Sequence, residues 1–192
     1  VFSVNQLGAT SASATFNGVT IRFGRNTSAC GLDTFAHLGA GIDFFGGSNP
    51  TATSLTITNS VITGNTVANL CAPGGAAGVN ADDGNLTITN SAIADNETTN
   101  QPGGGVSFVG NSRTMVMTNS IVSNNTAKGD ITEEGSGVNG EGGGIFVRQN
   151  INGTVMIHGS QISNNTSESR AGGIQLRSDG TLNTTIDQGT VI

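Results

Sequence analysis

"LTITNSVITGNT" (55–66) recurs as "LTITNSAIADNE" (86–97), "MVMTNSIVSNNT" (115–126) and "VMIHGSQISNNT" (155–166). Apolar and polar letters alternate in each copy. Leu55/Ile57, Leu86/Ile88, Met115/Met117 and Val155/Ile157 point one way. Thr56/Thr58, Thr87/Thr89, Val116/Thr118 and Met156/His158 point the other. A period of two over a few residues marks a short strand with one buried face. Ile62, Ile93, Val122 and Ile162 mark a further short strand, each three residues before a repeated Asn.

A Gly-led block stands between these segments: "GAGIDFF" (39–45), "GAAGVNAD" (75–82), "GGGVSFV" (103–109), "GGGIFVR" (142–148) and "AGGIQLR" (171–177). After the last Gly, Ile42/Phe44, Val79/Ala81, Val106/Phe108, Ile145/Val147 and Ile174/Leu176 are apolar at the first and third positions. Asp43/Phe45, Asn80/Asp82, Ser107/Val109, Phe146/Arg148 and Gln175/Arg177 form the other, mostly polar, face.

One such unit cannot bury its apolar face alone, but stacked copies can, each strand pairing in parallel with its equivalent one coil away. The sequence therefore predicts an all-β fold. It is a right-handed parallel β-helix, a solenoid of about five to six coils with three short strands per coil; the handedness follows the general crossover preference. Residues 1–192 read as one domain, with an extended segment at 1–15, repeats over 16–187 and an edge strand at 188–192. A ladder of turn residues is expected at Asn26, Asn65, Asn96, Asn125 and Asn165, at intervals of 39, 31, 29 and 40 residues. Ser60, Ser91, Ser120 and Ser160 form a second column. Asn tolerates left-handed backbone and its amide bonds to neighbouring backbone or to an Asn one coil away.

Composition narrows the function classes. Thirty Gly against three Pro, with Ile, Val and Leu regularly interspersed, does not describe a disordered linker. Seven scattered cations in a chain of net charge −6 make no basic stripe, so nucleic acid is not an expected partner. No apolar run approaches the ~20 residues of a membrane span.

Length variation concentrates between the Asn column and the Gly-led strand, giving long loops at 27–38, 66–77 and 126–143. Uneven insertions in a solenoid gather on one face, often the binding face. Cys30 and Cys71 fall in the first two loops, on adjacent coils. Coil spacing matches the ~4.4–6.8 Å between the Cα atoms of a disulfide, so a Cys30–Cys71 bridge is expected, and with it an oxidising, extracytoplasmic compartment. The third loop offers Asp130, Glu133, Glu134 and Glu141 as a candidate charged contact patch. "NADDGN" (80–85) has oxygen-ligand spacing at Asp82 and Asp83, but an ordinary turn accounts for the same letters, so no metal or other cofactor is expected.

These blocks resemble known repeats. "FGRN" (23–26) fits the "FxxN" motif of chlamydial polymorphic outer-membrane proteins, and "GGAAG" (74–78), "GGGV" (103–106) and "GGGI" (142–145) are similar to their "GGA[ILV]". Ile62, Ile93, Val122 and Ile162 stand where that motif has Phe. The "LTITNSVITGNT" series resembles large secreted bacterial β-helix proteins of the pectin-lyase-like superfamily. The resemblance implies an exported, cell-surface or extracellular protein, commonly an adhesin or structural passenger.

That superfamily also holds polysaccharide lyases and hydrolases. "ADDG" (81–84) and "IHG" (157–159) are similar to polygalacturonase fragments, but the "RxK" element is absent. The only histidines are His37 and His158, and no Ser–His–Asp arrangement can be assembled. An adhesin-like, non-enzymatic role is therefore expected, with a host or cell-surface glycan or protein as partner. End-to-end stacking of copies into a filament is the alternative, since "TLNTTIDQGTVI" (181–192) and "VFSVNQL" (1–7) carry no capping helix. The paired Thr56/Thr58 and Thr87/Thr89 ranks suggest ice binding, but the column degrades at Val116 and Met156.

Overall fold

The computed structural model describes residues 2–5, 13–27, 39–47, 53–68, 75–129, 140–187 and 189–192. The first coil holds β1 (Phe2–Asn5), β2 (Ser13–Asn17), β3 (Thr20–Arg22) and β4 (Arg25–Asn26). The second holds β5 (Ile42–Phe45), β6 (Ser54–Thr58), β7 (Val61–Thr63) and β8 (Thr66–Ala68). The third holds β9 (Val79–Asp82), β10 (Asn85–Thr89), β11 (Ala92–Ala94) and β12 (Glu97–Thr99). The fourth holds β13 (Val106–Gly110), β14 (Thr114–Thr118), β15 (Ile121–Ser123) and β16 (Thr126–Lys128). The fifth holds β17 (Ile145–Gln149), β18 (Gly153–His158), β19 (Gln161–Ser163) and β20 (Thr166–Ser167), and β21 (Ile174–Ser178) and β22 (Leu182–Ile186) begin a sixth.

Each strand pairs in parallel with its equivalents in the neighbouring coils, giving two six-stranded and two five-stranded sheets. The chain is a parallel β-helix. Every Gly-led pair predicted to face inward lies in the core or packs against it, as do Leu55/Ile57, Leu86/Ile88, Met115/Met117 and Val155/Ile157. Ile62, Ile93, Val122 and Ile162 complete the core from the third sheet.

Two features correct the sequence reading. Each of the first five coils has four strands, not three. The fourth, just past the Asn column, spans only two or three residues and turns a single side chain inward: Val67, Thr98 or Ala127. One inward residue that changes chemistry from coil to coil leaves no pattern to read.

The first coil is also shifted by two residues. Arg25 pairs with Thr66 and Asn26 with Val67, so Gly24 is the partner of Asn65 and Asn26 lies outside the Asn column. The core residue equivalent to Ile62 is Ile21. Phe23, taken as the Phe of "FxxN", is 75% exposed, with a left-handed φ of 58°. An Asn cannot stand at Gly24, because its Cβ would run into the carbonyl oxygen of Ala40.

The remaining column is a continuous amide ladder, buried at Asn65, Asn96 and Asn125 and half-buried at Asn165. Asn65 Nδ2 donates to Asn96 Oδ1 at 2.9 Å, Asn96 to Asn125 at 3.0 Å and Asn125 to Asn165 at 2.9 Å. Each receiving Oδ1 also accepts the backbone N–H of the same preceding Asn. The second Nδ2 hydrogen of Asn65, Asn96, Asn125 and Asn165 goes to the carbonyls of Ile21, Ile62, Ile93 and Val122. Gly105 shows what the Gly column is for. A Cβ there would stand 2.6 Å from Gly144 O and 2.9 Å from Asn125 Nδ2, so the ladder occupies the space a side chain would need. The Ser column forms its own ladder: each Oγ accepts the preceding coil's N–H at 3.1–3.2 Å and donates to a carbonyl two residues back at 2.7–2.9 Å.

Candidate functional site

The outward face of the Gly-led sheet carries the chemistry that does not repeat. Its first row runs Asp43–Asn80–Ser107–Phe146–Gln175 across β5, β9, β13, β17 and β21, directly paired from strand to strand. The second runs Phe45–Asp82–Val109–Arg148–Arg177.

Read from alternation, both rows face solvent. The first does not: Asp43 is 8% exposed, and Asn80, Ser107 and Phe146 2% or less. Gly39, Gly103 and Gly142 lie close against Asp43, Ser107 and Phe146 at the start of their strands, and Ala40, Val67 and Ala77 form a small second cluster beside the main core. Phe146 was the sequence signal for this cover, a large apolar side chain on a nominally polar face. The second row is half-buried.

Under this cover Asn80 Nδ2 donates to Asp43 Oδ1 at 2.9 Å. Asn80 Oδ1 and Ser107 Oγ are buried and make no hydrogen bond. Asp82 has its carboxyl pushed up to about 7, first by burial and then by the charges of Asp83 and Asp43. The Asp83 N–H and the Arg113 guanidinium pull it partly back. Asp83 itself takes a left-handed φ of 53° and sits at the corner after β9. Its Oδ1 lies 3.8 Å from Arg113 Nη2 and accepts Asn111 Nδ2 at 3.5 Å. The two predicted acids of "NADDGN" are thus engaged differently, one along the sheet face and one at the corner.

Arg113 is 3% exposed; its Nε and Nη1, and Gln149 Nε2 nearby, have no hydrogen-bond partner. Its backbone N–H donates to Gln149 Oε1 at 3.0 Å.

Farther along the axis Glu141 is 1% exposed, not a member of an open acidic loop. Its Oε1 meets Arg170 Nη1 at 3.3 Å and its Oε2 meets Arg177 Nη1 at 3.2 Å. The partners lie 29 and 36 residues ahead, and no local motif announces them. Asp130, Glu133 and Glu134 lie outside the described residues, as do Cys30, Cys71 and His37. His158 stands at the end of the outward Thr column of the second sheet, its Nδ1 2.7 Å from Asp187 Oδ2. That contact, with the N–H groups of Gly159 and Gly189, lowers the Asp187 carboxyl pKa.

Among the described residues no three His, Cys, Asp or Glu side chains gather as a metal-holding group, and no helix is long and apolar enough to cross a membrane. No family model, curated protein or solved structure matches the chain.

Proposed function

We propose that this is a non-enzymatic extracellular or cell-surface β-helix module, adhesin-like or for surface display. Its contacts with a glycan or protein run along the outward face of the Gly-led sheet. One observation carries this: the repeated polar side chains, Asn65 to Asn165 and Ser60 to Ser160, are consumed by internal ladders, whereas the irregular ones collect on that face. Along its half-buried row, apolar Phe45 and Val109 alternate with charged Asp82, Arg148 and Arg177. A strip of mixed character on a rigid scaffold suits an extended ligand.

A right-handed helical sense, the pectin-lyase-like and polymorphic outer-membrane likenesses, and export belong to the same proposal. So does the Cys30–Cys71 bridge, for which intact mass before and after reduction is the test. The functional test is binding of labelled chain to glycan and matrix-protein arrays, wild type against Arg148→Glu. Binding that the variant weakens is expected. Silence on both arrays, or binding indifferent to Arg148, counts against this surface. Regular fibres under the electron microscope would favour end-to-end assembly, and depolymerisation of a polysaccharide would make the chain an enzyme.

A further inference from the structure

We infer that the outward face of the second sheet (β2, β6, β10, β14, β18 and β22) is an ice-binding surface. It is separate from the Gly-led face and stands whether or not that face binds a ligand.

Cross-strand pairing builds a wider array here than the two Thr ranks visible along the chain. The middle row runs Thr15–Thr56–Thr87–Val116–Met156–Thr185 in direct register. On one side runs Asn17–Thr58–Thr89–Thr118–His158. On the other lie Ser54, Asn85, Thr114 and Thr154. Val116 keeps the branched shape of Thr and lacks only the hydroxyl, so Met156 is the one break in shape between Thr15 and Thr185. Every side chain in these rows is exposed or half-exposed, unlike the buried first row of the Gly-led face. Within the described residues no hydrogen bond engages the hydroxyls of Thr56, Thr58, Thr87, Thr89 and Thr118, whereas the Ser and Asn columns are consumed by their ladders.

The chemistry of the face selects its partner. No Lys, Arg or Glu stands in these rows, in a chain of net charge −6, and His158 is engaged by Asp187. A face without charge matches a neutral partner. Six strands with three outward positions each span roughly 24 by 13 Å. That is well short of the ~800 Å² per partner of a stable protein complex, and no Trp, Tyr or Arg is present to anchor one. Nor does the face carry an aromatic ring on which a sugar could stack. It offers instead a stiff two-dimensional repeat, ~4.8 Å across the strands and ~6.6 Å along them. Thr is restricted at χ1, so little side-chain freedom is lost on contact. Its methyl groups order the adjoining water and its free hydroxyls bond into that layer. Ice is a neutral, rigid surface of water that repeats in two directions, and an ordered water layer at fixed spacing is what the two would share.

The test follows single ice crystals in a solution of the full chain. Wild type should facet the crystals and hold their growth below the melting point, and it should partition into a slowly growing ice front. Thr87→Lys, at the centre of the array, should lose both effects. Ser123→Lys on the third sheet and Arg148→Glu on the Gly-led face should keep them. Met156→Thr, which mends the middle row without adding charge, should enlarge the growth gap, and it decides the matter if Thr87→Lys does not fold. Wild type that leaves ice unshaped and growing at the melting point overturns the inference. So do effects that neither Thr87→Lys nor Met156→Thr alters, or that Ser123→Lys abolishes. Retention on cellulose powder with no effect on ice also overturns it and gives the face to a neutral glycan.

Discussion

Asn96 is an internal link of the amide chain: its Oδ1 accepts Asn65 Nδ2 at 2.9 Å, and its own Nδ2 donates to Asn125 Oδ1 at 3.0 Å. The same side chain also bonds Asn65 N and Ile62 O. Replacing Asn96 by Ala strands buried groups in two coils at once. Each buried unsatisfied group costs about 1–3 kcal/mol, so Asn96→Ala should lose roughly 2–4 kcal/mol in urea unfolding followed by circular dichroism. Asn96→Asp should fare no better, because it accepts but cannot donate. Asn26→Ala should cost clearly less, since Asn26 is off the ladder. Equal losses at Asn26 and Asn96 would contradict the register described for the first coil.

Gly105 and Gly18 should respond oppositely to a side chain. At Gly105 an added Cβ meets the next coil's carbonyl and the ladder amide. Gly105→Ala should destabilise by on the order of 3 kcal/mol, seen as a lowered Tm. Gly18 has a φ of 67° with nothing within 4 Å, and it pairs in register with Asn59, which itself has a φ of 49°. Gly18→Asn should stay within about 0.5 kcal/mol of the wild type, because Asn tolerates the left-handed region.

The first comparison also marks what could be read beforehand. Alternation in "LTIT" and in the Gly-led strands specified two sheets, because each of those strands turns two apolar side chains inward; the third was legible because its single inward residue is Ile or Val in every copy from Ile62 to Ile162. The fourth sheet was illegible, since Val67, Thr98 and Ala127 are single inward residues of different chemistry. The first coil misled for a local reason. "FGRN" puts an Asn two residues past the column, and only cross-strand pairing reveals that Gly24 holds the place. The site was half legible. Alternation put Asp43, Asn80, Asp82 and Ser107 on one face, but not the burial of three of them, because a period of two separates the faces of a strand without saying what lies over either.

Glu141 gives a test of buried charge. Its carboxylate is 1% exposed, whereas the side chains of Arg170 and Arg177 are 64% and 35% exposed. Removing both arginines strands a buried carboxylate and should cost about 3–5 kcal/mol. Glu141→Gln releases both guanidiniums to water and should cost about 1 kcal/mol. Unfolding midpoints of the two variants at equal ionic strength check the asymmetry, and a costlier Glu141→Gln would reverse the account.

Asp82 should make stability fall with rising pH. Its folded-state pKa, about 7, lies above the ordinary 3.8. Between those values the folded chain holds a proton that the unfolded chain releases. The stabilisation is therefore complete below pH ~4, fades as pH climbs toward 7 and is gone above it. Asp82→Asn should remove this slope and exceed the wild type at pH 8 by on the order of 1–3 kcal/mol. Urea midpoints measured from pH 5 to 8 provide the readout; parallel curves for the two proteins would refute it.

The amide ladder runs in one direction only, each Nδ2 handing its hydrogen to the Oδ1 of the following coil from Asn65 through to Asn165. Head-to-tail alignment lets each bond polarise the next. It also gives the solenoid a grammar: a coil can be read in only one sense, and only as a whole. Duplication or excision between equivalent points leaves the chain of amides unbroken, whereas a cut at any other phase breaks it. The length of such a molecule is free to change in whole coils, while the loops that distinguish one copy from another change independently.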